Sequence, residues 1–254
     1  MRRVLLLLLL AFGTNACAPQ PPQSQPKVPV ALGPLGPCPA SSWKPEAPPP
    51  TASRKTSMVL LAVAEWFRFG RQTLAFTKDG AKPQVERLGL HEGDPFASPR
   101  VHDYWESVGR PNLSGDNHEV PWSAAFISWD IESAGVPRDL FCPDSRHTIY
   151  VERMVERARA PGAVFIPRRL DQRKPQVGDL ICASRASGTT TLDNLDRGPG
   201  HCDIVVEVRP GEVQAIGGNV EDSVSRSVFP LDESGFLSPI SARPFFTVIE
   251  NRLP

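Results

Sequence analysis

The stretch "SAAFISWDIESAG", residues 123 to 135, most restricts what this chain can fold into. Ala124, Ala125, Phe126, Ile127, Trp129 and Ile131 put apolar side chains on nearly every face of a predicted helix, which Gly135 and Pro137 then stop. A helix without a polar side has to lie at the centre of a core. Other elements must therefore surround it.

The rest of the sequence supplies them. Upstream, "RKTSMVLLAVAEWFRFGRQ" carries Val59, Leu60, Val63, Trp66 and Phe67 at helical spacing, and "RVHDYWESVG" predicts a short second helix ended by Gly109 and Pro111. Residues 70 to 99 between them are mixed and rich in Gly and Pro, and no element is predicted there. A fourth helix is predicted from about Ser145 to Ala160, "SRHTIYVERMVERARA". Beyond Pro175 the pattern shortens to strands: "GDLICAS", "CDIVVEV", "EVQAIGG", "SVSRSVF" and "FFTVIE", with Pro210 and Gly211 forming a turn. Helices first and strands afterwards predict an α+β domain, with the central buried helix lying against a mostly antiparallel sheet.

The amino-terminal part has another character. "MRRVLLLLLLAFGTNACA" has two arginines and then an apolar run, Val4 to Phe12, too short to span a bilayer as a finished helix. It is expected to be a secretory signal. Ala16 before Cys17 resembles a bacterial lipobox, so residues 1–17 are expected to be a lipoprotein-type signal with Cys17 lipidated. Cleavage after Ala18, giving a soluble exported form, is the alternative. Residues 18–52 are dense in proline, which favours extended backbone and cannot bury a core; they are expected to be a flexible tether. A single domain is expected over 53–254, with a helical part (53–119) and a core (120–254). The expected location is the periplasm, with membrane attachment through the lipid only.

Charge and cysteine chemistry narrow the function. The 28 basic and 28 acidic residues balance without a basic stripe, so nucleic acid is not an expected partner. Apart from Cys17, Cys38, Cys142, Cys182 and Cys202 allow three complete pairings. Cys182 and Cys202 each fall in a predicted strand, and a bridge between neighbouring strands is expected. The histidines are scattered and no C-x-x-C or H-E-x-x-H spacing occurs, so neither a metal nor another cofactor is expected.

The chemistry is sought at Ser123. A helix N-terminus carries unpaired N–H groups and partial positive charge, which favour a developing anion, but a serine hydroxyl needs a base. His201, following "RGPG" at the start of a strand, is the candidate base. Asn219, at the bend after "AIGG", is the candidate orienter, and Asp203 is the alternative because residues two apart on a strand share a face. Singly, these residues read as a helix cap, a structural histidine and a turn residue.

Taken in order, "PWSAAFISW", "PQVGDLICAS", "GHCDIVVEV" and "AIGGN" resemble the papain-like NlpC-like and CHAP groups of bacterial cell-wall amidases and endopeptidases. Those groups show W-C-A-A-F, then P-x-x-G-D, then G-H, then E-G-N. With "EWFRFG" and "YWESVG" added, the chain looks like the bacterial domain of unknown function 2272 family, regarded as papain-like and carrying serine at this place. The resemblance implies hydrolysis of peptidoglycan peptide or amide bonds. Two departures stand out: Ser123 replaces the usual Cys, and Gly217 replaces a Glu often found two residues before the Asn. The alternative is a non-catalytic groove that binds cell-wall peptide, lined by Trp122, Tyr104 and His147. His91, His118 and the loop from Arg185 to Gly200 receive no role.

Overall fold

The computed structural model describes residues 34–39, 43–44, 52–185, 190–195 and 197–254. Cys17 and the signal stretch lie outside the described residues. The helices are α1 (Arg54–Arg68), α2 (Ser98–Ser107), α3 (Ser123–Ser133) and α4 (His147–Arg157). The strands are β1 (Gln72–Ala75), β2 (Gln84–Arg87), β3 (Phe165–Arg168), β4 (Leu180–Ser184), β5 (Gly200–Arg209), β6 (Glu212–Val220), β7 (Ser223–Pro230) and β8 (Phe245–Asn251). They form one eight-stranded sheet in the order β2-β1-β7-β6-β5-β4-β8-β3. Only β1 and β7 pair in parallel; the other neighbours are antiparallel. This is an α+β fold.

All eleven residues of α3 are buried, and the helix packs on α1, α2, β5 and β6. Its apolar residues are thus covered from several sides, with Phe126 alone worth roughly 2–3 kcal/mol of transfer free energy. Close approach by β6 is possible because Gly218 has no side chain: a Cβ there would come within 2.6 Å of Phe126 and Trp122. Strand alternation then divides the sheet into two faces. Cys202, Ile204 and Ile216 join the cluster around α3, whereas Val205, Val213 and Ala215 pack on the other face with Leu231, Leu237 and Ile240.

The structure departs from the expectations in four places. The buried face of α1 is Met58, Ala62 and Glu65, while Leu60 and Phe67 are exposed. The reason is electrostatic: Glu65 is buried as the partner of Arg100, which donates from Nε at 2.7 Å and Nη2 at 2.9 Å, and of the Tyr104 hydroxyl. Residues 70 to 99, given no element, hold β1 and β2. β2 is exposed along its whole length and so lacks an inward apolar phase. β3 is missed for its brevity and its Pro167. Finally, the folded part takes in some of the stretch expected to be a tether. Cys38 is disulfide-bonded to Cys142, and Trp43 packs against the core.

Candidate active site

α3 begins with no side-chain cap. Trp122 occupies the N-cap position and makes no capping bond, so the first N–H groups of the helix have no side-chain acceptor. Ser123, the first residue of the helix, does not cap it either. Its Oγ lies 2.7 Å from Nε2 of His147, the first residue of α4. One helical turn further along α4, the Tyr150 hydroxyl is hydrogen-bonded to Nδ1 of the same ring. All three side chains are buried.

Ser123 and His147 open onto a cleft of about 570 Å³. Trp105, Pro121, Arg185 and the segment Gly198 to Gly200 contribute to its walls. Thr148 Oγ1 donates to Gly198 O at 2.9 Å and fastens that segment to α4.

His201 is placed differently. Cys202 and Ile204 point to α3, so His201 and Asp203 have the opposite phase of β5, shared with Val205. Its ring centroid is 5.5 Å from that of His147, but its nitrogens are both engaged. Arg185 donates from Nη2 to Nδ1 at 3.1 Å, which places the ring hydrogen on Nε2, and this donates to Asp203 Oδ1 at 2.8 Å. A Cβ at Gly217 would sit 1.9 Å from Asp203 Oδ1. The glycine makes room for the Asp203 carboxylate, which pairs with His201 in the space a side chain at 217 would take.

The other candidates lie behind the site. Asn219, in the left-handed region at φ 55°, donates its amide to Glu92 Oε2 at 2.9 Å and touches neither imidazole. Trp122 is not part of the groove wall: its ring is buried against Tyr104, and its Nε1 donates to the same Glu92 oxygen at 2.5 Å. Tyr104 is likewise in the core, where its hydroxyl has Glu65 as partner. Cys182 and Cys202, directly opposed in the β4–β5 register, are joined by a disulfide with Cα atoms 4.1 Å apart.

Burial sets the electrostatics. It holds the His147 imidazole well below its ordinary pKa, and the neighbouring His201, Arg185 and Arg243 push the same way. Burial also takes His201 down to about 4 against the pull of Asp203. Burial alone would raise Asp203, but His201, Arg243 and Arg185 outweigh it and keep the carboxyl below its usual range. Both rings are therefore neutral at neutral pH. Tyr150 is driven up by burial, then by Asp203 and Asp144, and stays a phenol.

Sequence reasoning gave no role to Tyr150, Glu92 or Arg185. The i, i+3 spacing in "HTIY" was the available signal for Tyr150. Glu92, between β2 and α2, unites His118 and Trp122 of the α2–α3 connection with Asn219 of β6, and these segments share no local pattern; His118 Nδ1 lies 2.9 Å from Oε1. Among the described residues no group of His, Cys, Asp and Glu side chains is arranged to hold a metal ion.

Residues 99–247 match the family described as uncharacterized proteins conserved in bacteria, the domain of unknown function 2272. The chain belongs to this family. The matched span runs from α2 into β8 and contains Ser123, His147, Tyr150, His201 and Asp203, so the domain 2272 match encloses the whole cleft floor. No curated protein and no solved structure matches the chain.

Proposed function

We propose that this member of the domain 2272 family is an exported hydrolase of the cell envelope, cleaving amide or ester bonds of cell-wall peptides, with Ser123 as nucleophile and His147 as base. The 2.7 Å contact between Ser123 Oγ and His147 Nε2, at an uncapped helix N-terminus on the floor of an open cleft, carries this reading. Ser123 Oγ attacks the acyl carbon while its proton passes to His147 Nε2. The oxyanion falls to the N–H groups of the first turn of α3. His147 then protonates the leaving group, and a water molecule releases the acyl chain by the reverse route. One such oxyanion donor is worth about 3–4 kcal/mol. A buried neutral imidazole suits the role of base.

A nucleophile-bearing helix packed on an antiparallel sheet supports a papain-like arrangement with Ser123 in place of cysteine. Export rests on the signal-like start, and attachment at Cys17 on the lipobox-like "TNAC". No helix among the described residues is long and apolar enough to cross a membrane.

Hydrogen accounting favours a second reading, a groove that binds cell-wall peptide without cutting it. Among the described residues Tyr150 has no acceptor except His147 Nδ1. If its hydroxyl donates there, His147 carries its hydrogen on Nε2 and donates to Ser123, the reverse of what base catalysis needs. The productive tautomer leaves a buried hydroxyl hydrogen unpaired, at about 1–3 kcal/mol. The deciding experiment treats the purified chain with a fluorophosphonate probe and with peptidoglycan. Ser123-dependent labelling together with released fragments supports the hydrolase. Binding of peptidoglycan without labelling or release supports the groove.

A further inference from the structure

The cleft over Ser123 is unevenly charged. Arg110, Arg146 and, from the β4–β5 connection, Arg185 and Arg197 enter its walls, and no Asp or Glu lines it among the described residues. Two of these charges are answered. Arg197 holds Glu152 through two hydrogen bonds, at 2.7 Å and 2.8 Å, and Arg146 has Asp144 at 3.6 Å.

The other two have no ion-pair partner among the described residues. Arg110 lies over the face of Trp105, 5.4 Å from its centroid, and both line the cleft. Arg185 gives Nη2 to two neutral acceptors, His201 Nδ1 at 3.1 Å and Asn219 O at 3.0 Å. Its Nε and Nη1 have no hydrogen-bond partner among the described residues. A guanidinium fixed at one corner of the cleft wall, with two nitrogens left to donate, matches a carboxylate in geometry and charge.

We propose that the cleft selects acyl compounds that carry a free carboxylate near the scissile bond, with Arg185 and Arg110 as its anion-recognising side chains. The inference rests on the hydrolase reading for the place of the scissile bond; recognition of the carboxylate is separable from turnover. A peptide whose terminal carboxylate sits one residue beyond the bond attacked by Ser123 has the required chemistry.

The test separates binding from cleavage. The Ser123→Ala chain is titrated by calorimetry with N-acetyl-alanyl-alanine and with its carboxy-terminal amide. The acid should bind about tenfold more tightly than the amide. That preference should shrink as sodium chloride rises from about 50 mM to about 500 mM, a readout that needs no arginine variant. Arg185→Gln and Arg110→Gln should each reduce the preference about threefold or more with the amide affinity unchanged, and Arg110→Gln, which removes no hydrogen bond from a buried group, should also keep the thermal midpoint. Arg185→Lys, which keeps the charge without the fork, should fall between. Equal binding of acid and amide overturns the proposal. So does inorganic phosphate displacing the acid as well as acetate does, because the site would then read charge alone.

In parallel, the unaltered chain is given p-nitrophenyl acetate and the mono-p-nitrophenyl ester of succinic acid. Acid-selective binding without turnover of either ester upholds carboxylate recognition and removes the hydrolase reading. Turnover without preference for the charged ester does the opposite.

Discussion

Two buried histidines stand 5.5 Å apart, ring to ring, and their surroundings give them opposite capacities. His147 touches a hydroxyl that faces a cleft, and its other nitrogen meets a phenol able to donate or accept. His201 is held by a guanidinium on one nitrogen and a carboxylate on the other, and neither can exchange roles without breaking its bond. Burial is common to both rings. What separates them is whether a lone pair can be turned toward a reacting proton. His201 and Asp203 are built like a structural pair, and His147 like a working one.

The sharpest way to break this comparison is to remove each ring. Ser123→Ala and His147→Ala should each reduce fluorophosphonate labelling at least about a thousandfold. His201→Ala should keep it within about tenfold, measured per folded molecule. An equal loss for both histidines, with the fold intact, would return His201 to the role of base. Stability should rank them the other way. His201→Ala takes the hydrogen bond from the buried Asp203 carboxylate, leaving it Arg243 at 3.9 Å, and should cost about 3–5 kcal/mol in urea unfolding. His147→Ala, which strands only neutral hydroxyls, should cost about 1–3 kcal/mol.

Acid should sharpen the contrast further. Both folded pKa values lie below that of a free histidine, so the unfolded chain binds more protons once pH drops under about 6.5. Stability from the two neutral rings is therefore complete above that pH. It is lost progressively on the way down to about 4 for His201, by on the order of 3 kcal/mol, and further down for His147. Unfolding midpoints between pH 7 and pH 4 measure this, and the His201→Ala chain should show a shallower dependence. The smallest effect is expected from Tyr150→Phe. With no phenol donating to Nδ1, His147 more readily presents a lone pair to Ser123, and labelling should be unchanged or rise a few-fold. A hundredfold loss would show that Tyr150 acts as the acceptor that holds the base.

Much of the fold was legible because burial leaves a period in the sequence. α3, apolar on nearly every face, announced its central place, and the paired runs around Cys182 and Cys202 announced adjacent strands. β2, exposed throughout, had no such period to read. Nor did the buried side of α1, which turns on a carboxylate whose partners come from α2. At the site, the place of Ser123 at a helix start followed from local pattern, as did the shared face of His201 and Asp203. The aim of that face did not. It depends on which side of β5 meets α3, and a single strand cannot reveal it. His147 reaches Ser123 only because α3 and α4 bring their first residues together, a tertiary fact without a motif.

The bridge between Cys38 and Cys142 has a mechanical consequence. It joins positions 104 residues apart, so the chain from 39 to 141 lies within a covalent loop. A pull applied ahead of Cys38 would pass through the sulfur atoms straight to the connection between α3 and α4. α1, α2 and α3 would bear none of that load, and the contact between Ser123 and His147 would sit beside the line of force.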